Sequence, residues 1–161
     1  MAQRETPTWC DNIEGVVDAF YSFDVFVGDA QRGNPAGVVI ATKPWSESAM
    51  ENLASELGFS ETAFVSGTPG AFHLRWFTPT TEVDLCGHAT AATAAALVAE
   101  GMVAPGSDID VVTRSGTLRC GASGSQAWVL LPERLLTKTP KPRWAPQALA
   151  AWSAPGWTLL E

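Results

Sequence analysis

Cys86, Gly87 and His88 fall in TPTTEVDLCGHATAATAAALVAEG, residues 78–101, where a polar run gives way to an alanine-rich segment almost free of charge. The first turn of an α-helix carries N–H groups with no intrahelical acceptor and roughly +0.5 of a charge. A helix starting near Gly87 therefore offers donors to an anion, with Ala89 and Thr90 in the same turn. A thiol at such an end is expected to have a lowered pKa, so Cys86 is expected to carry thiolate character. His88 titrates near neutrality and can give or take a proton. Together these groups suit holding a carboxylate while a proton moves at the neighbouring carbon. The plainer reading also stands: Cys86 as a small buried hydrophobe and His88 as a helix cap.

A second candidate lies in GFSETAFVSG, residues 58–67. Glu61 is in strand phase with Phe59, Ala63 and Val65, which places a carboxylate on the apolar face. Desolvated carboxylates are how enzymes poise a general acid or base. The alternative is a solvated position at the strand mouth. Asn34, in RGNPAG (32–37), could offer an amide to a ligand or belong to an ordinary turn. Glu82 and Asp84 read as a solvated strand face, and His73 as a strand residue. The chain has no P-loop, G-x-G-x-x-G, H-E-x-x-H or G-x-S-x-G pattern. Neither histidine has a cysteine or carboxylate at metal-ligand spacing along the chain, so no metal is expected.

These groups need elements to position them. Aromatic and β-branched runs predict strands over 18–27, 38–42, 59–66, 71–78, 108–114, 117–122 and 127–132. A Ser115-Gly116 turn joins two of them, and 28–37 reads as loop. Residues 46–58 have helical periodicity, with Ser46 as N-cap and Gly58 as stop. The segment from about His88 to Glu100, closed by Gly101, is apolar all round. Such a helix is buried on every side, and alanine makes it thin. Short strands are what could wrap it. From Pro132 onward the texture turns rich in proline and tryptophan, with a short helix expected over 146–152.

The chain has 161 residues, 46% of them hydrophobic and 17% charged, enough for one domain with a sizeable core. A net charge of −7 argues against a nucleic-acid partner. No apolar run approaches the ~20 residues of a membrane span. The opening MAQRETPTWCDNIEG has no signal-peptide core. The expected compartment is the cytoplasm, with Cys10, Cys86 and Cys120 as free thiols.

GNPAGVV, SETAFV and RWFTPTTEVDLCGHATAATAAALV, in this order, resemble the phenazine-biosynthesis PhzF-like family, which shares its fold with diaminopimelate epimerase. The likeness runs from about Val17 to Pro132. It implies an α+β lobe, a mostly antiparallel, curved, barrel-like sheet wrapped around a central alanine-rich helix. It also implies a cofactor-independent isomerase or epimerase that binds a small carboxylate-bearing substrate between two lobes. The glutamate of the family's SET motif falls on Glu61 as proton shuttle, and the histidine of its GH motif on His88. Ser60 and Gly87 would help fix the substrate. In the related epimerases a cysteine matching Cys86 is a base, although they carry Cys-Gly-Asn where this chain has Cys-Gly-His. The expected organisation is an irregular arm (1–16), an N-terminal lobe (17–132), and an inter-lobe linker leading into a missing second lobe (133–161). A homodimer or a complementary second-lobe chain would then complete the cleft. The rival expectation is a catalytically inactive half-domain that binds small acids or partners.

Overall fold

The computed structural model describes residues 3–4, 19–27, 33–41, 43 and 45–131. Strands β1 (Gln3–Arg4), β2 (Ala19–Val25), β3 (Asn34–Ala41), β4 (Glu61–Ser66), β5 (Phe72–Phe77), β6 (Glu82–Val83), β7 (Ile109–Thr113), β8 (Gly116–Ser123) and β9 (Gln126–Leu130) form one sheet. Its order is β1-β2-β3-β4-β5-β7-β8-β9, with β6 attached to β5. Neighbours are antiparallel except β3–β4 and β5–β7. A parallel step cannot be closed by a tight turn. Helix α1 (Glu47–Leu57) lies within the first of these connections and α2 (Gly87–Ala99) within the second.

The sheet is apolar on both faces, and each helix covers one. On β3 and β4, Val38, Ile40, Ala63 and Val65 turn to the core that holds α2, while Val39 and Phe64 turn to the core that holds α1. This is strand alternation put to use on both sides. Helix α2 touches β2, β3 and β4, and also β8 and β9. In a flat sheet β3 and β8 would stand four strand spacings apart, about 19 Å. A single helix meets both only because the sheet curls around it.

Alanine makes this enclosure possible. Ala89, Ala92, Ala94 and Ala96 are at most 1% exposed, as is Leu97. Two threonines share the buried rod without orphaned hydroxyls. Thr90 donates to the Cys86 carbonyl at 2.6 Å and Thr93 to the Ala89 carbonyl at 2.8 Å. Tyr21, 4% exposed on β2, donates its hydroxyl to Glu100 at the far end of α2. Helix α1 ends as its sequence implies: Ser46 accepts from the Ala49 amide, and Gly58 takes the left-handed conformation at φ 68°.

Three local readings are corrected. Residues 34–37 are strand, not loop: Asn34 pairs with Val25, and Ala36 lies beside Glu61. Pro35 is tolerated because it stands near the strand's start, where a missing N–H matters least. Within the expected irregular arm, Gln3 and Arg4 pair with Ser22 and Tyr21 as a short strand. Glu82 is not on a solvated face. Its side chain is 6% exposed and takes two hydrogen bonds from Arg75, at 2.6 and 2.7 Å, plus one from Arg114. Arg75 also reaches Glu47 of α1 at 2.6 Å, so this cluster ties helix, sheet and hairpin together. The linker and the helix over 146–152 lie outside the described residues.

Two predictions follow from this packing. Ala94→Leu inserts volume where 0% is exposed and should cost about 1–3 kcal/mol, read as a lower urea midpoint. Glu82→Gln should cost about 1.5–3 kcal/mol at pH 7, because two arginines lose a charged acceptor. The Arg75 hydrogen bond holds the Glu82 pKa below its ordinary 4.5. Its contribution is therefore present above pH 4.5 and lost as pH falls through the lower folded value. A stability–pH curve of Glu82→Gln should lack that acid-side loss.

Candidate active site

Glu61 opens β4 and shares the inner face with Ala63 and Val65, so its carboxylate projects toward α2 at the sheet's rim. Cys86 is the N-cap of α2, extended at φ −143° and ψ 106°, and His88 lies in the first turn. Packing of α2 across β3 and β4 brings the three together. His88 Nε2 stands 3.3 Å from Glu61 Oε2, and His88 Nδ1 stands 3.2 Å from Cys86 Sγ. The imidazole therefore bridges a thiol and a carboxylate 25 residues apart in sequence. Its Nε2 is buried and makes no aligned hydrogen bond, so the Glu61 contact is close approach without ideal geometry. Apo sites commonly leave such contacts to tighten on substrate.

Burial sets the protonation states. The Cys86 thiol is pushed up to about 11, chiefly by burial. Glu61's charge adds to the rise, and the amides of Ala89 and His88 offset it only in part. The expected thiolate is thus corrected to a neutral thiol. A helix N-terminus favours an anion, but a side chain 7% exposed loses more by leaving water. Burial also moves His88 below its ordinary 6.5, against the pull of Glu61, so the ring is neutral at pH 7. Glu61 keeps 24% of its side chain exposed, between the two environments read for it from sequence.

The other candidates divide. Ser60 and Asn34 meet: the Ser60 hydroxyl lies 3.3 Å from Asn34 Oδ1 and 3.1 Å from the Pro35 carbonyl, beside Glu61. Gly87 can offer a first-turn amide, whereas the Ala89 amide is turned to the Cys86 sulfur and its side chain is fully buried. Thr90 is committed elsewhere, since its amide and hydroxyl both donate to the Cys86 carbonyl. His73 lies on the opposite face, in a cleft of about 60 Å³ with Lys43 and Trp45. Two neighbours were missed in the sequence. A Cβ on Gly87 would come 3.8 Å from Leu131 and 4.0 Å from Val129, so the end of β9 walls the site. The apolar phase of β9 was legible, but nothing in it pointed to Gly87.

One donor atom from each of Glu61, Cys86 and His88 falls within 4.8 Å of the others. The chain spacing that argued against metal did not foresee this. Such a set could take a zinc-type ion only after the thiol gives up its proton.

The model of the phenazine biosynthesis-like protein family matches residues 23–148. The chain belongs to that family. An uncharacterized isomerase of Halalkalibacterium halodurans is 40% identical over 69% of this chain and 41% of its own length. A phenazine biosynthesis PhzC/PhzF protein from Clostridium difficile superimposes with a TM-score of 0.62 and 38% identity, over 71% of this chain and 44% of that one. A predicted epimerase from Pseudomonas aeruginosa is similar at a TM-score of 0.57 and 26% identity, covering 67% of this chain and 40% of that one. This chain thus spans less than half the length of the family members it matches. The lobe architecture expected from the motifs is the one found. Among the described residues no helix is long and apolar enough to cross a membrane.

The neutral-thiol state is checked by alkylation. Cys86 and Cys120 are both buried, with Cys120 pushed up to about 12. At pH 8 both should resist iodoacetamide in the native protein and react in urea, as read by peptide mass spectrometry. Fast native labelling of Cys86 would contradict the burial argument.

Proposed function

We propose that this lobe carries the proton-transferring half of a cofactor-independent isomerase or epimerase acting on a small carboxylate-bearing substrate. The observation that carries the reading is the 3.3 Å approach of Glu61 and His88 at the mouth of a helix of 13 residues. The substrate carboxylate binds at the positive first turn of α2, with Ser60 and Asn34 along its flank. Glu61 takes a proton from the carbon next to an electron-withdrawing group. His88, neutral and presenting Nε2, donates a hydrogen bond to the enolate-like charge that develops. Glu61 then returns the proton to the same or a neighbouring carbon. With Cys86 neutral and His88 presenting an N–H, Glu61 is the base among the described site residues. That favours isomerisation over a two-base epimerisation.

The cleft is completed by a second lobe, either beyond a linker at 133–161, on a complementary chain, or on a second copy. Support comes from the short span relative to family members and from an exposed apolar residue at the site wall. Leu131, whose side chain stands beside Gly87, is 52% exposed. The same two observations favour the second reading, an inactive half-domain that binds small acids or partners. The proposed compartment is the cytoplasm.

Deuterium wash-in with candidate acids tests the first reading. Glu61→Gln should lower exchange by about 10²–10⁴-fold. Equal exchange in both proteins would remove Glu61 from the chemistry. Light scattering after gel filtration separates the two readings: a tight dimer keeps a closed cleft available, and a stable monomer leaves it open.

A further inference from the structure

The family-based expectation for Cys86 is a base, and its burial is at odds with that task. Two other facts about its surroundings give the thiol different work. The ring of His88 has Glu61 Oε2 at 3.3 Å on its Nε2 side and Cys86 Sγ at 3.2 Å on its Nδ1 side. A neutral imidazole carries one N–H, on one nitrogen or the other. If the proton sat on Nδ1, the Nε2 lone pair would face the Glu61 carboxylate, two acceptors in close approach in a buried place. If it sits on Nε2, the carboxylate faces an N–H, and the Nδ1 lone pair needs a donor. The thiol S–H is that donor. The proton pattern that leaves no opposed lone pairs is S–H to Nδ1 and Nε2–H to carboxylate.

We propose that Cys86 is a positioning residue: its S–H fixes His88 in the Nε2–H tautomer, so that a donor always faces Glu61 and the substrate. Its chemistry deepens the proton-transfer reading and rests on it, but the tautomer itself is a property of the resting lobe. The placement of Cys86 makes the device cheap. As N-cap of α2 it is two residues from His88, and its carbonyl is already held by the amide and hydroxyl of Thr90. The sulfur is thereby anchored on a rigid element. The high thiol pKa keeps the proton on sulfur across the physiological range. A serine can do the same work with O–H. An alanine cannot, and neither serine nor alanine can act as a base.

The test is the tautomer of His88, read by long-range ¹H–¹⁵N correlation of its imidazole in the full chain without substrate, at pH 7.5. His73 lies exposed on the other face and serves as the internal reference. The wild-type protein should give the Nε2–H pattern. Cys86→Ala should raise the Nδ1–H to Nε2–H ratio by about five-fold, the loss of one ordinary hydrogen bond. Cys86→Ser should restore the wild-type ratio. An unchanged ratio in Cys86→Ala, with His73 signals intact to certify the fold, would overturn the proposal. So would an Nδ1–H pattern in the wild type. A proton-exchange assay adds the functional arm: positioning requires Cys86→Ser to retain more exchange than Cys86→Ala, whereas a cysteine base requires both to fail alike. If Glu61→Gln leaves exchange unchanged while the tautomer result holds, the proton-transfer reading falls and the hydrogen-bond lock stands.

Discussion

The structure depends on one constraint: a helix without a polar face must be enclosed by a single sheet. Burying a helix on all sides is normally the work of several layers. Here a thin alanine surface lets strands approach closely enough for one curled sheet to suffice, with β2–β4 on one flank and β8–β9 on the other. Sheet curvature, strand order and the two parallel crossovers follow from that enclosure. So does the site, because a helix held this tightly has a fixed end. The amides of that end, and the side chains of Cys86 and His88, inherit the rigidity of the rod.

That rigidity has an electrostatic consequence. The mouth of α2 combines a positive helix end with a strong desolvation penalty. For the thiol, desolvation wins, and Cys86 stays protonated. For the imidazole it wins again, and the nearby Glu61 does not restore the charge. The site therefore holds two neutral proton carriers in contact, with a carboxylate at the edge that solvent reaches. Proton position is set by which hydrogen bonds close, not by net charge.

The outer face of the sheet is organised differently. There Glu82 is held between Arg75 and Arg114, and Arg75 in turn holds Glu47. Arg75 also lies 5.1 Å over the Phe77 ring. This network pins β6, a strand of two residues, against β5. Strand β6 leads directly into Cys86. The approach to the turn that carries Cys86 and His88 is thus fixed from the opposite face of the sheet, by charges whose role is structural.

The sequence alone determined the elements whose cause is local. Helix α1 was legible because its N-cap, apolar period and left-handed glycine stop are neighbours in the chain. The enclosure of α2 was legible because an uncharged alanine run has one physical outcome in water. The inward position of Glu61 was legible from its phase within one strand, and that of His88 from its place at a helix mouth. Only the tertiary structure decided the rest. Residues 34–37 read as loop because Asn-Pro and glycine favour turns locally, and the β2 and β4 partners override that preference. Glu82 read as solvated because Arg75 reaches it only once β5 and β6 pair, and Arg114 comes from a hairpin distant in the chain. The state of Cys86 turned on a competition between a local helix end and burial by remote strands. A sequence displays the first of these directly, and the second exists only once the sheet has closed.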